Sequence, residues 1–98
     1  MNDQCRVEPL TKTADPDELA TQRTAIFAVW GLGCPNCAIR VRNGLLSTRG
    51  VIDAYVDHLA GMARVTFNPA LVSTDAMINA VTNAAGETHH EYVAQLIA

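Results

Sequence analysis

The chain has 98 residues, of which 49% are hydrophobic, and a formal net charge of −3 at pH 7. This length allows one domain with a modest core, and the acidic balance without a basic cluster excludes a typical nucleic-acid-binding surface. No stretch is apolar enough for direct membrane insertion, and the first residues lack the features of a signal peptide, so a cytoplasmic protein with reduced thiols is expected.

Residues 1–22 are polar, contain two prolines and show no sustained apolar period. They are predicted to be a flexible N-terminal tail. Within this tail, residues 15–18 have the sequence Asp-Pro-Asp-Glu, which is typical of a helix cap and first turn and favours one short helix. Cys5 is expected to be an unpaired thiol, with an extra metal-recruiting ligand as the alternative.

The segment from Thr24 to Trp30 is apolar on both faces and predicts a central strand. It leads into a loop, Gly31-Leu32-Gly33-Cys34-Pro35-Asn36-Cys37, that carries a Cys-x-x-Cys motif. Proline is favoured at the first position of a helix, which places Cys37 in the first turn, near unpaired N–H groups and the positive end of the helix dipole. This position favours thiolates, and two thiolates on one exposed loop can bind one soft ion such as Cu(I) or Zn(II).

The rest of the chain alternates helical and strand patterns. Arg40 and Arg42 on the first helix and Arg49 just after it lie off the apolar stripe and predict a basic flank beside the loop. Gly44 within this helix predicts close packing against the sheet. The predicted elements are a helix from Cys34 or Pro35 to Thr48, strands Val51–Leu59 and Met62–Asn68, a helix capped by Ser73 or Thr74 and stopped by Gly86, and a strand Glu91–Ile97.

The resulting order is β-α-β-β-α-β. It predicts an α+β fold for residues 23–98, a ferredoxin-like sandwich with a four-stranded antiparallel sheet and two helices on one face. A Cys-x-x-Cys after a strand also occurs in thioredoxin-like proteins, so a dithiol redox protein is an alternative. No Ser-His-Asp set, phosphate loop or plausible carboxylate pair is present, and a conventional enzyme is not expected.

Several motifs resemble those of the heavy-metal-associated domain family, which includes small copper chaperones, mercury-binding proteins and the N-terminal modules of metal-pumping P-type ATPases. The family motif Gly-Met-x-Cys-x-x-Cys corresponds to Gly31–Cys37, with Leu32 in place of Met. Further matches are Val41 and Leu45 in the helix, Gly50-Val51 after it, and the strand end Val65-Thr66-Phe67-Asn68-Pro69.

This resemblance implies a metallochaperone or metal-binding module that holds Cu(I) through Cys34 and Cys37. It also implies delivery of the ion to a Cys-x-x-Cys on a metal-transporting P-type ATPase. The family fold serves both free chaperones and modules of longer transporters. Because an exposed dithiolate can share an ion between two copies, a metal-bridged homodimer is a further expectation.

The chain departs from the family pattern after the glycine that ends the second helix. Copper members often have Tyr or Lys there, whereas this chain has Glu87, followed by Thr88 and two histidines. The resemblance places this loop beside the Cys-x-x-Cys loop, so His89 or His90 is a candidate third ligand. A module for zinc or another divalent ion, completed by one of these histidines and by Glu87, is therefore the alternative to copper.

Overall fold

The structure, a computed structural model, describes residues 7–86 and 88–98, so Cys5 and Glu87 lie outside the described residues. The elements in chain order are α1 (Pro16–Leu19), β1 (Arg23–Trp30), α2 (Pro35–Leu46), β2 (Val51–Asp57), β3 (Met62–Phe67), α3 (Thr74–Asn83) and β4 (Val93–Leu96). The strands form one sheet in the order β2-β3-β1-β4, and every neighbouring pair is antiparallel. The predicted ferredoxin-like fold is confirmed, and among the described residues no helix is long and apolar enough to cross a membrane.

The core lies between the sheet and the two longer helices. Side chains of a strand alternate between its two faces, so every second residue of β1 and β3 is turned toward α2 and α3. The buried core residues of these four elements include Ala25, Phe27, Val29, Ala63, Val65, Phe67, Val41, Leu45, Met77 and Val81. The opposite face of the sheet is open, and Trp30 on it remains 53% exposed.

A bulge in β2 explains why Val51 and Ala54 are both buried although they are three residues apart. Val51 pairs with Phe67, whereas Asp53 pairs with Thr66, so Ile52 is an extra residue without a partner on β3. An inserted residue of this kind moves the side chains that follow it to the opposite face of the strand. Both apolar side chains therefore face the core.

Helix α2 and strand β4 are shorter than predicted. Helix α2 ends at Leu46, because the backbone changes there from the i−4 bond of the Ser47 N–H to Asn43 to a tighter i−3 bond of the Thr48 N–H to Leu45. Strand β4 begins at Val93 rather than Glu91 because its neighbour β1 ends at Trp30, the residue that pairs with Val93.

Gly44 packs against α3, not against the sheet as predicted. A Cβ at this position would lie 3.1 Å from the Cβ of Ala84 and 3.2 Å from the carbonyl oxygen of Ala80. A larger residue would have to push the two helices apart. The absence of a side chain at Gly44 therefore sets how closely α2 and α3 approach.

Residues 7–19, which we call the N-terminal strap, lie along α2. The Asn43 side chain accepts a hydrogen bond from the Leu10 N–H (2.7 Å) and donates one to the Glu8 carbonyl (2.8 Å). Arg42 donates to the Leu10 carbonyl (3.0 Å), and the Val7 N–H donates to the side chain of Asn36 (3.3 Å). The predicted tail is thus held by polar contacts, which produce no apolar period in the sequence.

The C-terminal half of the strap contacts the junction between α2 and β2. Glu18, in the short helix α1, is only 3% exposed and accepts hydrogen bonds from the Gly50 N–H (2.8 Å) and the Asp15 N–H (3.1 Å). Lys12 donates to the Glu18 carboxylate (2.9 Å). Arg49 pairs with Asp15 and so belongs to the strap contacts, not to the predicted basic flank of the loop. The division of the chain at residue 22 remains a prediction.

Candidate metal centre

The Cys-x-x-Cys loop connects the end of β1 to the start of α2, as predicted. Gly31 has a φ of +97°, and a Cβ there would lie 2.0 Å from the carbonyl oxygen of Glu91. Only glycine fits this combination of left-handed backbone and close approach. Cys34 is the N-cap of α2, Pro35 is its first residue, and Cys37 lies in the first turn. The loop is therefore packed directly against the segment that leads into β4.

The two thiols lie close together but differ in exposure. Their sulfur atoms are 3.4 Å apart, Cys37 is fully buried, and Cys34 is partly exposed. If both metal–sulfur bonds are about 2.3 Å long, sulfurs at this separation give a sulfur–metal–sulfur angle of about 95°. A tetrahedral angle needs a sulfur–sulfur separation of about 3.8 Å, and a linear arrangement needs about 4.6 Å. The exposed Cys34 side chain can provide the movement outward that either geometry requires.

Hydrogen bonding favours the thiolate form of Cys37. Burial by itself raises the pKa of this thiol, because it penalises the charged form. Hydrogen bonding with Tyr92, with Cys34 and with the backbone of Gly33 and Cys34 outweighs this effect and lowers the pKa of Cys37 below its ordinary value. Cys37 is therefore prepared for binding a cation even though it is buried.

Tyr92 and Arg40 belong to this site, although the sequence predicted no role for Tyr92 and only a basic flank for Arg40. Tyr92 is 1% exposed and lies beneath the loop, and its hydroxyl accepts a hydrogen bond of 2.8 Å from Arg40. Burial, followed by hydrogen bonding to Cys37, raises the pKa of Tyr92 to about 12, so its hydroxyl keeps its proton at neutral pH. Of the three arginines in the predicted basic flank, Arg40 is the one that reaches the site.

The sequence contains a signal for both residues. Arg40 follows Cys37 by three positions on α2, a spacing that places two side chains on the same side of a helix. Tyr92 precedes buried Ala94 by two positions, which places it on the core face of the chain entering β4.

Both histidines of the loop before β4 are exposed, and His90 lies beside Cys37. The His90 ring nitrogens Nδ1 and Nε2 lie 3.8 and 3.9 Å from the Cys37 sulfur, and the ring is stacked on Tyr92 with centroids 5.9 Å apart and an interplanar angle of 11°. Nearly equal distances mean that neither nitrogen alone is directed at the sulfur. Within residues 7–86 and 88–98, no three His, Cys, Asp or Glu side chains are already arranged as an ion site.

Comparison with known proteins decides the family. The heavy-metal-associated domain matches residues 26–87, more than half of the chain. The chain belongs to the heavy-metal-associated domain family. The match begins within β1 and ends beyond α3, and it leaves the N-terminal strap and β4 outside it.

Relatives within this family include a copper-transporting ATPase, HMA5, of Oryza sativa subsp. japonica, which is 41% identical over 54 residues. That alignment covers 55% of this chain, and the chain spans only 5% of the length of the ATPase. Among solved structures, a copper binding domain from HMA7, a P-type ATPase, superposes with a TM-score of 0.70 at 28% identity, covering 78% of this chain and 95% of that domain. The CopZ metallochaperone has a TM-score of 0.62 at 25% identity, with 76% and 100% covered.

Proposed function

We propose that this chain binds Cu(I) through Cys34 and Cys37 and passes it to a partner protein by thiolate exchange. The observation that carries the proposal is the pair of sulfurs 3.4 Å apart at the start of α2, one buried and one partly exposed. Thiolates are the preferred ligands of Cu(I), and a chelating pair on one loop needs no rearrangement of the fold. The copper proteins among the relatives support this choice of ion.

The unequal exposure of the two cysteines supports an order of exchange. An incoming thiolate reaches the ion from the side of exposed Cys34 and forms a three-coordinate intermediate. Cys34 then leaves the ion and takes up the proton released by the incoming thiol, and a second thiol of the partner replaces buried Cys37 in the same way. The copper remains Cu(I) throughout, so no electron acceptor or donor is required.

The surroundings of the loop support contact with a protein partner. A groove of about 450 Å³ lies between the loop and the β2–β3 turn, and its lining includes Trp30, Leu32 and Leu59. Trp30 is 53% exposed and Leu59 is 86% exposed. Exposed apolar side chains around a site are typical of a surface that another protein covers. The partner we propose is the metal-binding domain of a cytoplasm-facing P-type copper ATPase, which places this chain in the cytoplasm.

The ligands are tested by competition titration of the reduced protein with Cu(I) and Zn(II) against chelators of known affinity. The expected result is one tightly bound Cu(I) per chain and its loss in Cys34→Ser and Cys37→Ser. Loss of a residue that merely supports a ligand weakens metal affinity roughly 10- to 100-fold, so loss of a ligand itself weakens it by more than about 100-fold. Equal Cu(I) affinity in a folded serine variant contradicts the proposal, and a doubled mass on Cu(I) addition identifies a metal-bridged homodimer.

Zinc is the second candidate because His90 lies beside Cys37. Zn(II) prefers four ligands and accepts nitrogen donors, whereas Cu(I) is satisfied by two thiolates. Replacing both His89 and His90 with Ala separates the two cases. Zn(II) affinity falls and Cu(I) affinity is kept if a histidine binds the divalent ion.

A dithiol redox role is the remaining alternative from the sequence. It predicts that the reduced protein retains neither metal and that the reduction potential of the Cys34–Cys37 pair lies near that of the cytosolic thiol pool. The reduction potential therefore needs to be measured only if the titration shows that the protein retains neither metal.

A further inference from the structure

The structure points to Tyr92 and Arg40 as positioning residues that hold His90 beside Cys37, and we propose that they determine how well the site binds ions needing more than two ligands. The inference rests on the proposed function, because it assumes that the cysteine pair binds metal. It concerns the selectivity of that site between Cu(I) and divalent ions.

The backbone around His90 is fixed at its C-terminal end. Val93 pairs with Trp30 in the sheet, and the Glu91 carbonyl lies against Gly31, so closely that a Cβ on the glycine would be 2.0 Å away. The backbone next to His90 is therefore held against the metal loop. The His90 residue itself is exposed, so its side chain needs a separate support.

The Tyr92 ring provides that support. It is almost completely buried, and the His90 ring lies on it at an interplanar angle of 11°. Arg40 fixes the other end of the tyrosine through its hydrogen bond to the hydroxyl, 2.8 Å long. Because Arg40 lies one turn after Cys37 on α2, the same helix that carries the buried ligand also positions the imidazole.

The distances fit coordination by both groups after a rotation of the imidazole. With metal–sulfur and metal–nitrogen bonds of about 2.3 and 2.05 Å, a separation of 3.8 Å corresponds to an angle of about 120° at the ion. The near-equal distances of the two nitrogens require the ring to turn so that one of them faces the ion. The His90 side chain is exposed, so a change of its two side-chain torsions can make this adjustment.

The consequence is a site with two modes. Cu(I) uses Cys34 and Cys37 alone, whereas a divalent ion recruits His90 as a third protein ligand and completes its shell with water. Loss of the tyrosine ring then weakens binding of divalent ions more than binding of Cu(I), which depends on Tyr92 only through its hydrogen bond to Cys37. Outer residues that orient a metal ligand contribute roughly 10- to 100-fold to affinity, which sets the expected size of the effect.

The experiment compares Zn(II), Co(II) and Cu(I) affinities of the full reduced chain with those of Tyr92→Leu, His90→Ala and the double variant. Tyr92→Leu and His90→Ala are each expected to weaken Zn(II) and Co(II) binding about tenfold or more, and the loss in the double variant is expected to be smaller than the sum of the two single losses in free energy. The absorption bands of bound Co(II) report its ligand set and are expected to change in the same way in both single variants. Cu(I) affinity is expected to stay within about twofold of the wild type in His90→Ala. In Tyr92→Leu it is expected to fall less than Zn(II) affinity does, because Tyr92 also hydrogen-bonds to Cys37.

Two further variants separate positioning from folding. Tyr92→Phe keeps the ring and loses the hydrogen bond, and Arg40→Met loses the guanidinium, so both are expected to weaken Zn(II) binding less than Tyr92→Leu does. If Tyr92→Leu does not fold, Tyr92→Phe and Arg40→Met still test the proposal. Unchanged Zn(II) affinity in both of these variants would then overturn it. Tyr55→Leu, on the open face of the sheet and 49% exposed, is the matched control and is expected to change neither affinity.

Additive losses in the folded double variant, or unchanged Zn(II) affinity in folded Tyr92→Leu, overturn the inference. The cysteine variants distinguish this failure from that of the proposed function. If Cys34→Ser and Cys37→Ser lose Cu(I) while Tyr92→Leu has no effect on Zn(II), only the positioning role is wrong. If the cysteine variants keep Cu(I), the proposed function itself is wrong.

Discussion

The two glycines of the metal loop provide a direct test of how rigidly the loop is packed. Gly31 has a φ of +97°, and a Cβ there falls 2.0 Å from the Glu91 carbonyl oxygen, about 1.4 Å short of ordinary contact. Gly33 has no positive φ and no atom within 4 Å of the corresponding position. Gly31→Ala and Gly33→Ala therefore add the same methyl group to one loop in opposite environments.

The expected cost of Gly31→Ala combines two effects. A left-handed backbone costs a non-glycine residue about 1–2 kcal/mol, and forced packing adds about 1–3 kcal/mol, so the free energy of unfolding should fall by about 3 kcal/mol. Gly33→Ala should leave it unchanged or raise it by about 0.4–1 kcal/mol, because alanine restricts the unfolded chain. With a urea m-value of about 1.5 kcal/mol/M, Gly31→Ala lowers the unfolding midpoint by about 2 M.

Urea unfolding of the reduced, metal-free protein, followed by far-UV circular dichroism, measures both midpoints. Equal shifts in the two variants would refute the reasoning, as would a loss of less than about 0.5 kcal/mol in Gly31→Ala, the range of an ordinary surface substitution. Either result would mean that residues 91–92 separate from the loop at little cost. The placement of His90 beside Cys37 would then lack its backbone support.

Two further predictions concern the strap. Hydrogen bonds from Lys12 and from the Gly50 N–H hold the pKa of Glu18 below its ordinary value of 4.5, so its stabilising contribution is complete above about pH 5 and is lost as the pH falls through the lowered value. Glu18→Gln should therefore destabilise the protein at pH 7. When melting temperature is measured against pH, this variant should also lose less stability toward acid pH than the wild type does. The exposed control Glu91→Gln should show the same pH dependence as the wild type. Asn43→Ala should cost about 1 kcal/mol in urea unfolding, because it removes two hydrogen bonds to the strap. The same change at Asn83, the last residue of α3, serves as its control, and equal midpoints in the two variants would show that the strap adds no stability.

Much of the fold was predictable because the sheet and the long helices follow apolar periods. The inward residues of β1 and β3 alternate strictly, and those of α2 recur at helical spacing, so their positions follow from local sequence. The N-cap position of Cys34 was equally accessible, because the preference of proline for the first helical position is a local effect.

The remaining features depend on contacts between residues distant in sequence. The strap is held by the side chains of Asn43, Arg42 and Glu18, whose partners lie 32 to 35 positions away. Tyr92 meets Arg40 across 52 positions. No periodic pattern encodes polar pairs of this kind, so the role of the strap and the outer part of the site became visible only in three dimensions.

The position of the C-terminus determines where a reporter group can be attached. The backbone of Ala98 bonds to Ile26, four residues before Trp30 and thus toward the far end of β1 from the metal loop. At the other end of the described chain, Val7 bonds to Asn36 between the two cysteines. A dye attached at residue 98 leaves the loop open to a docking protein, whereas one attached at residue 7 lies beside the thiols. Transfer assays should therefore carry their label on the C-terminal side.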